Sequence, residues 1–171
     1  LIQRFRDRHP DVAVDIQMGS VQEVYRWVRE DKVDMCFASH QEGGNFDWIH
    51  LRNDPLLAIL PPGYDLRGCS SLPVSRLEGL DFLMPSLGFH LDIMRTLGDV
   101  KPNIQQTHVN DSVIISMVEH GLGVSILSEL VLRGRRDNVV AVPLDPPAVR
   151  ELGIAVRSKK ELRPIARRFI T

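Results

Sequence analysis

The residues best placed to do chemistry are short polar groups where a strand gives way to a helix or loop. They are Ser20; Ser39 with His40; Ser86, Gly88, Phe89 and His90; and Asn110 with Asp111. Hydroxyls, imidazoles, an amide and free backbone N–H groups at such points hold ligands. A helix start leaves N–H groups unsatisfied and carries a partial positive charge. It therefore favours a carboxylate or another anion by ~0.3–1 kcal/mol, and by more when buried. Asp111 works against this, because a carboxylate repels an anion unless it is itself paired. Each position also has an ordinary structural use. Ser20 and Glu23 have the S-x-x-E spacing of a capping box. Ser39 and His40 suit loop hydrogen bonds, Phe89 suits a core, and Asn110 and Asp111 suit a helix cap.

Bond-breaking chemistry has no signature. The chain contains no G-x-S-x-G, no phosphate loop and no H-E-x-x-H. Its six histidines and two cysteines lack metal-ligand spacing. Gly121-Leu-Gly123 precedes a strand rather than opening a helix, so it is not a dinucleotide fingerprint. Asp31 and Asp34 flank a strand start and read as solvated. No enzyme activity, cofactor or metal is expected.

The net charge of −1 gives no basic field for nucleic acid or an anionic membrane. The basic residues of the final helix (Lys159, Lys160, Arg163, Arg167, Arg168) interleave with an apolar stripe and read as a solvated face. No apolar run approaches the ~20 residues that cross a bilayer. The opening Leu-Ile-Gln-Arg-Phe-Arg-Asp-Arg is not a secretory signal. Cys36 in a strand-like run and Cys69 in a loop make no disulfide framework, so a reducing cytoplasm is the simplest location.

These groups need a scaffold to position them. With 171 residues, 43% apolar and 25% charged, the chain suits one domain or two small lobes. Residues 109–127 are its organising stretch. Asp111 or Ser112 caps a helix with Val113, Ile114, Met117 and Val118 on one face. Gly121 stops that helix, and Val124 to Leu127 reads as a buried strand. Upstream, residues 1–9 read as a helix and 12–18 as an alternating strand. A helix from Ser20 ends near Asp31, which stands in for a positive-φ glycine. Strands follow over 33–39, 48–51 and 56–60. Beyond a loop-rich stretch come a short helical turn at 74–77, a strand at 82–85, a helix at 89–97 and a strand at 104–109. The end of the chain reads as a short helix at 128–132, strands at 139–144 and 153–157 with Pro146-Pro147 as a stop, and a helix at 159–170. Alternating strands and helices argue an α/β fold with mostly parallel sheets. The proline-punctuated strands 56–60 and 139–144 bracket the middle third. This suits lobe I at 1–59 plus 142–171 and lobe II at 60–141.

Three blocks together resemble the effector-binding (regulatory) domain of LysR-type transcriptional regulators. The first runs from Phe5-Arg-Asp-Arg-His-Pro-Asp-Val through Gly19-Ser20 to Lys32-Val-Asp34, and the second is Asp54-Pro-Leu-Leu-Ala-Ile-Leu-Pro-Pro62. The third is Met117-Val-Glu-His-Gly-Leu-Gly-Val-Ser-Ile-Leu127, followed by 139–144 and Gly153-Ile-Ala-Val-Arg157. The resemblance implies a type 2 periplasmic-binding-protein-like fold with two lobes, a two-segment hinge and a ligand cleft between the lobes. It implies a small-molecule effector, with anions among the candidates, and a hydroxyl at Ser20 that faces it. It further implies a homodimer or homotetramer, formed by side-by-side packing of elements such as the 1–8 helix and the 113–118 face. DNA binding would belong to a winged helix-turn-helix that this chain does not contain. The first strand of the regulatory domain is also expected to be missing. The chain departs from the family pattern at Asp31, where glycine is usual, and at Ser128, where proline often follows Ile-Leu. A transporter's solute receptor with the same fold is the rival reading.

Overall fold

A computed structural model describes residues 1–85, 88–135 and 137–171. In chain order the elements are α1 (Ile2–Arg8), α2 (Val21–Arg29), β1 (Cys36–Ser39), β2 (Asp47–Leu60) and β3 (Leu72–Pro73). A 3₁₀ turn at Val74–Leu77 precedes β4 (Asp81–Met84), α3 (His90–Leu97), β5 (Asn103–Gln106) and α4 (Asp111–Glu119). Then come β6 (Ser125–Ser128), α5 (Glu129–Leu132), β7 (Val140–Val156) and α6 (Pro164–Ile170). The chain forms two units, Leu1–Ile49 with Gly153–Thr171 and His50–Leu152, and β2 and β7 are the strands that pass from one to the other.

The first unit grows from α2. Ser20 Oγ accepts a hydrogen bond from the Glu23 N–H at 3.3 Å, and the Ser20 N–H donates to Glu23 Oε2 at 2.9 Å, closing the expected capping box. Tyr25 and Val28 are the buried side chains of this helix, packing with Cys36 and Ala155. Asp31 ends the turn at φ 54° and pairs with Arg157, so a carboxylate does the work expected of glycine. At Gly153 an added Cβ would lie 2.4 Å from the Ile49 carbonyl oxygen and 2.5 Å from Trp48 Cζ2. No side chain fits there. The alternating run 12–18 forms no strand: Ile16 is 63% exposed and Met18 85%. Alternation supplies a face, but a strand also needs a neighbour's N–H and C=O groups, and this run has no ladder partner among the described residues.

The second unit holds the two larger cores. The last residues of β2 pair antiparallel with β6, from Leu56↔Ser128 to Ile59↔Ser125, so the sheets are mixed rather than mostly parallel. β3 pairs parallel with β7, and β4 pairs parallel with β5. α4 buries Ile114, Ile115 and Val118 against Ile59, Leu83 and Leu127, each buried side chain worth ~1.5–3 kcal/mol. Val113, expected on that face, is 41% exposed, and Ile115 takes its place. Gly121 has φ 75°, as a helix end requires, and an added Cβ at Gly123 would meet the Asp81 oxygen at 2.7 Å.

Proline misplaced two boundaries. The expected pair of strands around Pro55 is one strand, β2, because Pro55 lies before the ladder with β6 begins at Leu56. Pro146-Pro147 does not stop β7, which runs through both residues with a cis Asp145–Pro146 bond. In α6 the effect is reversed: Pro164 occupies the first turn, where its missing N–H costs nothing, so the helix begins there and not at 159.

Candidate functional site

In the first unit Ser20 is fully engaged as a cap. Its hydroxyl donates to Glu23 Oε2 at 2.8 Å and accepts from the Glu23 N–H, leaving one acceptor lone pair. Ser39, 3% exposed, ends β1. Its carbonyl oxygen accepts from the Tyr25 hydroxyl at 3.0 Å, and its Oγ accepts from Gln41 Nε2 at 3.3 Å. His40 follows with its ring 4.9 Å from that of Trp48. Ser39 and His40 therefore sit together, held by α2 through Tyr25 and by the loop after β1.

In the second unit Gly88 has φ 76° and leads to Phe89 and His90 at the start of α3. Phe89 is 4% exposed and belongs to the core; His90 is exposed. Asn110, rather than Asp111 or Ser112, caps α4, accepting from the Val113 N–H at 3.1 Å. Asp111 begins the helix half-buried, and that burial raises its pKa, with the guanidinium groups of Arg150 and Arg135 pulling the other way. Ser86 lies outside the described residues.

Arg150, in the stretch between the expected strands 139–144 and 153–157, joins several of these groups. Its guanidinium lies 4.2 Å from the Phe89 ring centroid. It donates from Nε to Asp54 Oδ2 at 3.0 Å and from Nη2 to Ser128 Oγ at 3.1 Å. Asp54 is wholly buried, and its Oδ1 accepts the Leu130 N–H at 3.2 Å. One buried ion pair thus ties β2, β6, α5 and β7 to the entrance of α3, and its charge reaches Asp111 at the entrance of α4. The signal was a lone arginine in the apolar alternation around Val149, paired with an aspartate next to a proline. Sequence separation concealed it: the partners are 96 positions apart.

Among the described residues no group of three or more His, Cys, Asp or Glu could hold a metal. The sequence profile of the family described as the LysR substrate binding domain matches residues 1–171. The chain belongs to this family. Among its relatives are the uncharacterized HTH-type transcriptional regulator YvbU of Bacillus subtilis, 28% identical over 99% of this chain, and the Hca operon transcriptional activator HcaR of Escherichia coli, 23% identical over 99%. The chain spans 59% and 60% of their respective lengths. The regulatory domain of Synechocystis CcmR, solved in complex with 2-PG, is 20% identical and superposes with a TM-score of 0.86, covering 99% of this chain and 85% of that one. The type 2 periplasmic-binding-like fold expected from the sequence is therefore the fold of this LysR domain. The relatives are transcriptional regulators, and nothing in the comparisons favours a transporter receptor. No helix among the described residues is long and apolar enough to cross a membrane.

Proposed function

We propose that this LysR domain senses a small, anionic metabolite for a cytoplasmic transcription regulator and transforms nothing. The carrying observation is the chain-long match to the LysR substrate binding domain. The effector contacts in this reading are Ser20, Ser39 and His40 in the first unit, with Ser86, Gly88, Phe89, His90, Asn110 and Asp111 in the second. This reading takes its lobes as 1–59 plus 142–171 and 60–141, whereas the compact units divide at Ile49/His50 and Leu152/Gly153. Ser20 offers its remaining lone pair to a donor on the effector, while the helix entrances near Arg150 favour the anionic end. The effector acts through its differential affinity for two arrangements of the protein, which changes how the subunits of a homodimer or homotetramer are set. A winged helix-turn-helix outside this chain then reads that change on DNA.

A thermal-shift screen of metabolite anions tests the reading. A true effector at a hundred times its Kd adds ~2.7 kcal/mol of stability, or roughly 5–10 °C for a domain of this size. Ser20→Ala and Ser86→Ala should each reduce that shift while leaving the protein folded. An unchanged response in both variants removes those two contacts.

A further inference from the structure

We propose that a basic hollow with an apolar lining in the first unit binds a small amphipathic anion, an oxyanion head on a short apolar body. The hollow measures about 540 Å³ and is lined by Ile49, Lys159, Lys160, Arg167, Ile170 and Thr171. That lies within the ~300–1,000 Å³ of small-molecule sites. None of these residues is an effector contact in the reading above, so the two proposals stand or fall separately.

Hydrogen bonds to the backbone hold the walls. The Lys159 N–H donates to Asp47 Oδ2 at 2.7 Å, which fixes the turn after β7 against the start of β2. From α6, Arg167 Nη2 donates to the Lys160 carbonyl oxygen at 3.0 Å, and the Thr171 hydroxyl donates to the Arg167 carbonyl oxygen at 2.7 Å. The guanidinium is thereby tied to the lysine turn, while its Nε and Nη1 have no partner among the described residues. A planar fork with free donors suits a carboxylate or phosphate. Ile49 and Ile170, both partly exposed, supply the apolar lining.

Pairing elsewhere in this stretch shows which cations are spare. Arg157 pairs with Asp31, and Arg163 with Asp34 at 2.6 Å. Among the described residues Lys159, Lys160 and Arg167 have no carboxylate within ion-pair reach, and no acidic side chain lines the hollow. Like charges around one hollow repel one another, and its apolar walls focus their field. An oxyanion relieves that repulsion, and the isoleucines shelter its apolar body. An anion without such a body gains only a screened surface attraction, and a neutral apolar molecule leaves the charges unmet.

The test titrates octanoate into the full-length protein by calorimetry at low salt. Saturable binding is expected, and it should weaken as ionic strength rises, because the three cations are exposed. In methyl NMR the Ile49 and Ile170 signals should move with the same titration. Acetate and octanol, each holding half of the chemistry, should bind more weakly than octanoate, and octylammonium should not bind. Lys160→Gln and Arg167→Gln should each lower octanoate affinity roughly two- to fivefold. Arg168→Gln, an exposed neighbour outside the hollow, should leave it unchanged. No saturable octanoate binding, unmoved Ile49 and Ile170 signals, or octanol binding as tight as octanoate would each overturn the proposal. So would an equal loss in Arg168→Gln, or retention on phosphatidylglycerol vesicles without octanoate binding.

Discussion

Removing the carboxylate of Asp54 should be among the most damaging single changes in the second unit. Asp54 is 0% exposed and the Arg150 side chain 12%, with Nη2 and Oδ2 2.8 Å apart. Asp54→Ala deletes the ion pair with Arg150, its charged hydrogen bond from Nε, and the acceptor for the Leu130 N–H. The guanidinium keeps Ser128, the Phe89 ring and the more distant charge of Asp111, and stays nearly buried. Breaking a buried pair in this way costs ~3–5 kcal/mol. At roughly 2–4 °C per kcal/mol for a chain of this length, the melting temperature should fall by about 6–20 °C. Both tryptophans lie in the first unit, so urea unfolding followed by far-ultraviolet circular dichroism is the appropriate assay. Arg150→Met combined with Asp54→Ala should recover much of the loss, because the stranded charge goes with its partner. A single-variant cost under ~1 kcal/mol, or a double variant as poor as the sum of the singles, would refute the reasoning.

Burial raises the Asp111 pKa, so between its unfolded and folded values the folded state binds the proton more tightly. Stability from this group is therefore lost as pH rises through that window. Asp111→Asn should be more stable than the wild type at neutral pH and lose its advantage in acid, as pH-dependent melting would show. The reverse holds for Glu23, whose pKa is lowered by hydrogen bonds from the Ser20 backbone and side chain. The capping-box contribution should disappear as pH falls through the folded value, and Glu23→Gln should flatten that dependence. The Cys36 thiol is pushed up to about 11 by burial, whereas Cys69 is exposed. A thiol reagent at neutral pH should count one cysteine in the folded protein and two after unfolding. Gly153→Ala should cost more than ~1–3 kcal/mol, since backbone and indole would both have to move, and denaturant melts would check this.

Local chemistry in the sequence determined the pieces whose cause lies within a few residues. The Ser20–Glu23 box, the left-handed turn at Asp31, the stop at Gly121 and the buried β6 all follow from spacing and residue type. The order of such pieces pointed to the family, which the chain-long match bears out. Tertiary structure decided what depends on partners remote in sequence. Residues 12–18 alternate well, yet they form no strand without a neighbour, and Pro146-Pro147 reads as a stop, yet β7 runs through it. Val113 and Ile115 exchanged places on α4 because packing against Ile59, Leu83 and Leu127, not helical period alone, selects the buried face. The Asp54–Arg150 pair was hidden most completely: each residue is ordinary in its own segment, and a buried charge becomes tolerable only when the fold delivers its counter-charge from 96 residues away.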